Sequence, residues 1–97
     1  MLKALGPENA NYLSFPMEGY TLALDFKLQP GLFELFDELD AMVLDSGGRI
    51  YLAKDCRLNA ASFQRGYPRW EAFQAVREKY GARGRFGSLQ SERIGLG

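Results

Sequence analysis

Tyr51 and Lys54 stand three residues apart in "GGRIYLAKDCR", and Asp55 and Cys56 follow the lysine directly. The chain contains no histidine. Serine–histidine and cysteine–histidine catalysis and most zinc sites therefore lie outside its means, and no metal site is expected. Chemistry here falls to lysine, tyrosine, arginine and carboxylates. A lysine delivers a compact positive charge on a long stem, suited to a fixed place beside a group that gains negative charge. The plainer reading makes Lys54 a strand-end lysine paired with Asp55, and an exposed pair of that kind contributes under about 1 kcal/mol. Cys56 is the one cysteine, so no intrachain disulfide forms. Between Asp55 and Arg57 it reads as a small residue at a strand end rather than an activated thiol.

The elements that must carry these residues follow from apolar spacing. Tyr20, Leu22, Leu24 and Phe26 alternate with Thr21, Ala23 and Asp25, which predicts a strand with one apolar face and one small, polar face. Pro30 opens a helix at a position where its missing N–H costs nothing. Leu32, Leu35, Phe36, Leu39, Met42 and Val43 form its apolar stripe, and the acidic residues between them read as a solvated face. Gly47 and Gly48 supply its stop. Arg49–Ala53 then reads as a second strand, so strand, helix and strand suggest a βαβ unit. Asn59 is placed to cap a helix ending near Gly66, and Pro68 starts another, ended by Gly81. The tail "SLQSERIGLG" reads as one closing helical turn. The fold class is α+β: a βαβ unit followed by a helical C-terminal segment. Two strands do not make a stable sheet alone. Either residues 1–15 add a strand or the chain completes something larger.

Ninety-seven residues suffice for one domain with a thin core. No apolar run approaches the roughly 20 residues that cross a bilayer, and residues 1–15 lack a basic start followed by an apolar stretch. With a single cysteine, these features make a cytoplasmic protein the expectation. The net charge of zero hides a division: residues 1–48 carry two basic and eight acidic residues, residues 49–97 ten basic and four acidic. Such a division marks a polyanion-binding half, two halves that face each other, or halves that face different neighbours. The arginines are scattered, without a run of five, which argues against nucleic acid. The glycine-rich "GARGRFG" has neither spacing of a phosphate loop.

Four blocks, "LKALGPEN", "LSFPMEGYTLALDF", "GGRIYLAKDCR" and "YPRWEAFQAVREKYG", follow one another as they do near the C-terminus of one enzyme family. The chain resembles the FAD-linked oxidoreductases of the vanillyl-alcohol oxidase type over nearly its whole length. The resemblance implies that residues 1–48 are the last part of a substrate or cap domain. Residues 49–97 would be the segment that returns to the FAD-binding domain. It implies that Tyr51 contacts FAD, that Lys54 is catalytic and reaches both flavin and substrate, and that Lys3, Thr21 and Ala23 line the substrate pocket. One member of the family has an asparagine and a cysteine at the positions of Thr21 and Ala23, so the pocket is implied but its substrate goes no further than a sugar-like alcohol. The family's FAD-binding glycine-rich loops and active-site histidine have no counterpart here. The implied partner is therefore an N-terminal FAD-binding domain, and the chain alone is expected to be an inactive fragment.

Two other readings stand beside this one. The chain is a stand-alone interaction module, a homodimer that buries its apolar strand face between copies, or it binds a polyanion through Arg49, Arg57, Arg65, Arg69, Arg83 and Arg85.

Overall fold

The alternation at Tyr20 does produce a strand, though only its first half: the strand ends at Leu22 and residues 24–26 lie outside it, and its partner lies at the start of the chain. In the computed structural model, which describes all of residues 1–97, β1 (Leu2–Leu5) and β2 (Gly19–Leu22) pair antiparallel, with Lys3 opposite Thr21 and Ala4 opposite Tyr20. The ladder runs one pair further, because the Met1 ammonium donates to the Ala23 carbonyl at 2.7 Å and the Ala23 N–H to the Met1 carbonyl at 2.8 Å. Residues 1–15 thus supply the missing strand.

Four helices follow: α1 (Leu32–Asp45), α2 (Ala60–Gly66), α3 (Trp70–Lys79) and α4 (Leu89–Arg93). Their ends obey local chemistry. The Asn59 side chain accepts the Ser62 N–H at 2.8 Å, and Ser88 with Ser91 forms a reciprocal capping box. Gly47 (φ 80°) and Gly81 (φ 64°) take the left-handed conformation that closes α1 and α3. Pro30 does not open α1; the left-handed Gly31 intervenes and the helix begins at Leu32.

The class is α+β, but no βαβ unit forms, because Arg49–Ala53 is not a strand. The chain is extended at Tyr51 and then tightens into a 3₁₀ turn, Leu52–Lys54. No neighbouring strand is present to pair with it. Side chains take its carbonyls instead: the Tyr67 hydroxyl donates to the Ile50 carbonyl at 2.6 Å, and the Gln90 amide to the Leu52 carbonyl at 2.6 Å.

The core sits in the second half. Leu58, Phe63, Tyr67, Ile94 and Leu96 are buried together, with Leu13, Phe15, Ile50 and Leu52 packed at the edge. Gly66 is needed where α2 ends against the incoming chain, since a Cβ there would stand 3.1 Å from the Arg49 Cβ. The apolar face of β2 takes no part in this core. Tyr20 is 76% and Leu22 60% exposed, and Leu24 and Phe26 beyond them are exposed as well. Half of the α1 stripe is likewise uncovered: Leu32 is buried and Phe36 and Leu39 are half-buried, while Leu35, Met42 and Val43 are exposed.

The overall dimensions carry the same message. The radius of gyration is 14.5 Å, against about 12.5 Å for a compact chain of this length. The accessible surface is 7105 Å², roughly 1,500 Å² more than a folded monomer of this mass presents.

The charge division is resolved by pairing across the halves. Arg57 bonds Asp37 at 2.6 Å and Asp40 at 2.8 Å, Arg65 bonds Asp45 at 2.7 Å, and Arg49 lies 3.7 Å from Glu8. The acidic face of α1 is therefore the seat of the basic half rather than a wholly solvated surface. No helix is long and apolar enough to cross a membrane.

Candidate functional site

Lys54 closes the 3₁₀ turn, and the turn is held from several sides. The Phe15 ring lies 4.8 Å, centroid to centroid, from that of Tyr51. Tyr67 holds the Ile50 carbonyl ahead of the turn, and Gln90 holds the Leu52 carbonyl within it. Behind it, the Asp55 carboxylate accepts the N–H groups of Arg57 and Leu58, each at 2.9 Å, and the Arg93 guanidinium at 2.7 Å. Arg93 donates from the same nitrogen to the Leu58 carbonyl at 2.8 Å.

Asp55 is thus not the partner of Lys54. Its side chain is 5% exposed and fully engaged. Burial pushes its pKa up, but the Arg57 amide, the Arg93 side chain and the Leu58 amide together outweigh it and hold the carboxyl below its ordinary 3.8. Lys54 is exposed and makes no ion pair and no side-chain hydrogen bond. Tyr51 is the extended residue that leads into the turn, and Lys54 is the residue that ends it. Tyr51 is 46% exposed there. A half-open phenol therefore stands at the entrance of a firmly held turn and an unpaired ammonium at its exit, both exposed. Beneath it, burial raises the Tyr67 pKa to about 12, against a lowering influence from Arg49, so its hydroxyl stays a donor.

Lys3 and Thr21 are a cross-strand pair and share one face of the hairpin, and Ala23 follows two residues along on the same face. Lys3 and Ala23 are exposed and Thr21 half-buried. The structure brings these three together on the hairpin, and no hydrogen bond or ion pair joins them to Tyr51 or Lys54.

The sequence reading did not single out Gln90 or Arg93. The serines spaced for a capping box at 88 and 91 signal α4, but nothing local ties it to a turn more than thirty residues away. Cys56 is exposed and free. Of the arginines considered for a polyanion, Arg49, Arg57, Arg65 and Arg83 pair with carboxylates. Arg69 lies over the Tyr12 ring, 4.5 Å from its centroid. Arg85 is exposed and makes none of these contacts, so five of the six are engaged and one is free. No group of three or more acidic or cysteine side chains is placed to hold a metal ion.

Comparison with known proteins agrees with the four sequence blocks. The chain is 40% identical over 96 residues to the decaprenylphosphoryl-beta-D-ribose oxidase of Mycolicibacterium smegmatis, an alignment covering 99% of this chain and 21% of that protein. It is 35% identical over 97 residues to a Streptomyces coelicolor protein described as an uncharacterized protein in the mprA 5' region, covering 99% of this chain and 26% of that one. The chain thus spans about a fifth to a quarter of the length of these relatives. Residues 20–94, from β2 through the Tyr51–Lys54 turn to the end of α4, match the family described as ALO, D-arabinono-1,4-lactone oxidase, and the chain belongs to that family.

Proposed function

We propose that this chain is part of an FAD-dependent oxidoreductase that oxidises a sugar-like alcohol by hydride transfer to the flavin. Lys54 and Tyr51 face the flavin, and Lys3, Thr21 and Ala23 face the substrate. The observation that carries this reading is the free Lys54 ammonium: Asp55, the neighbour expected to neutralise it, is committed to Arg93 and two backbone amides.

These residues fit a flavin. A ring that gains negative charge on reduction calls for a cation with no other partner, and Lys54 is one. A bound flavin supplies the hydride acceptor. Lys54 supplies a charge already in place, which acts more strongly once a covering domain excludes water. Tyr51, braced by Phe15, offers a ring face and a hydroxyl at the start of the same turn. Thr21 and Lys3 offer one hydroxyl and one cation to a hydroxyl-bearing substrate.

The partner in this reading is the remainder of the oxidase, with residues 1–48 belonging to its substrate domain and residues 49–97 to its FAD-binding domain. Two features support it. The buried core lies mainly in residues 58–96, apart from the hairpin. The surplus of roughly 1,500 Å² of surface is ample for an interface, which takes about 800 Å² from each partner. The apolar face of β2 favours a second reading for the chain alone, self-association through that face, and sedimentation over a range of concentrations tests it.

The kinetic test is Lys54→Met in the full-length oxidase. Flavin reduction by substrate is expected to slow by at least about tenfold, as when a fixed charge-stabilising donor is removed. An unchanged rate returns Lys54 to a surface role.

A further inference from the structure

We propose that Gln90 and Arg93 of α4 are positioning residues for Lys54, fastening both ends of the turn that carries it. The inference rests on the flavin-facing reading of Lys54 given above.

The turn does little to hold itself. Its one closing backbone bond, from the Asp55 N–H to the Leu52 carbonyl, is 3.4 Å long, at the outer limit of a hydrogen bond. Leu52 is half-buried, and Ala53 and Lys54 are exposed, so apolar burial holds only its first residue. The strong contacts come from α4. Gln90 Nε2 grips the Leu52 carbonyl at 2.6 Å. Arg93 Nη1 meets Asp55 Oδ2 at 2.7 Å and the Leu58 carbonyl at 2.8 Å. Residues 90 and 93 are three apart, on one face of a helix. Lys54 lies between the two gripped points.

Helix α4 is itself fixed to the body. Ile94 and Leu96, directly after it, are in the buried core, and Ser88 caps its start. The path from core to ammonium is therefore short: core, α4, two side chains, turn. A charge stabilises a developing anion only from a fixed place, and the gain falls when the charge wanders.

Two measurements test this. In the 97-residue chain, amide hydrogen exchange is followed at Asp55, Arg57 and Leu58 in Gln90→Met and Arg93→Met, with the α3 amides as the internal standard. Exchange at the turn is expected to accelerate about tenfold, the effect of losing one charge-assisted or buried bond, while α3 is unchanged. Unchanged exchange at the turn overturns the inference. In the full-length, FAD-loaded protein, the flavin midpoint potential is measured for the same variants, alone and with Lys54→Met. Each single variant is expected to lower the potential in the direction of Lys54→Met but by less, and to lower it no further once Lys54 is gone. Arg93→Lys, whose ammonium is able to meet the same two oxygens, is expected to restore most of the loss. Shifts that persist in the Lys54→Met background mean that Arg93 acts through its own charge, and overturn the positioning role. Failure of the flavin-facing reading shows differently: Lys54→Met itself then leaves the potential unchanged, and the exchange data decide the positioning claim alone.

Discussion

Replacing Asp55 removes the tie on which the turn depends, and the size of the loss follows from its contacts. The carboxylate accepts two backbone amides at 2.9 Å and the Arg93 guanidinium at 2.7 Å, with a side chain only 5% exposed. Removing one partner of a well-buried ion pair costs about 3–5 kcal/mol. Arg93 is 28% exposed and keeps the Leu58 carbonyl, which brings the figure to the lower end. Asp55→Ala is therefore expected to destabilise the chain by about 3 kcal/mol. Asp55→Asn, which keeps an acceptor for the two amides and loses the charge, is expected to cost about half of that. The pH dependence has a definite sign. The folded carboxyl lies below its ordinary 3.8, so its contribution is full above that value and is lost as pH falls through the lower folded pKa. Urea unfolding, followed by fluorescence of Trp70, the sole tryptophan, measures the gap between wild type and Asp55→Asn at neutral pH and below pH 3.8. The gap is expected to narrow in acid. A gap within about 0.5 kcal/mol at neutral pH, typical of an inconsequential surface change, refutes the reasoning. So does a gap that stays constant with pH.

The other expectations follow from the same geometry. Tyr67 is held protonated by burial up to about pH 12, against an ordinary 10.0, so its contribution is intact below pH 10 and is lost as pH rises between the two values. Spectrophotometric titration at 295 nm is expected to show one late-titrating phenol, absent in Tyr67→Phe. Leu22→Asp, on the exposed face of β2, is expected to change the stability of the 97-residue chain by less than about 0.5 kcal/mol. If the rest of the full-length oxidase covers that face, as proposed, the same change there costs about 2 kcal/mol or more, and equal small effects in both refute the covering. The 97-residue chain by itself is expected to bind FAD poorly; calorimetry showing tight, micromolar binding contradicts the division of labour between the domains.

Helix ends were the most legible part of the sequence, because each depends on one or two local residues: Asn59 on its own side-chain oxygen, Gly47 and Gly81 on a left-handed φ. The strand at Tyr20 was legible for the same reason. Arg49–Ala53 was not, because a short alternating run becomes a strand only beside another strand. Here Tyr67 and Gln90, remote in sequence, satisfy its carbonyls first. The stripes on β2 and α1 were correctly read as apolar, but alternation does not say whether the covering surface lies in the same chain. Asp55 shows the limit most sharply: adjacency suggested Lys54 as its partner, and the fold supplies Arg93, 38 residues away. That rearrangement turns a commonplace surface pair into a free cation.

Whether the Lys54 ammonium meets the flavin ring is decided most directly by an experimental structure of the full-length, FAD-loaded oxidase. The account expects Lys54 Nζ within about 3 Å of a polar atom of the isoalloxazine, with Tyr51 shielded from water on the same side. A structure with the flavin in place and Lys54 in open solvent, away from the ring, contradicts it.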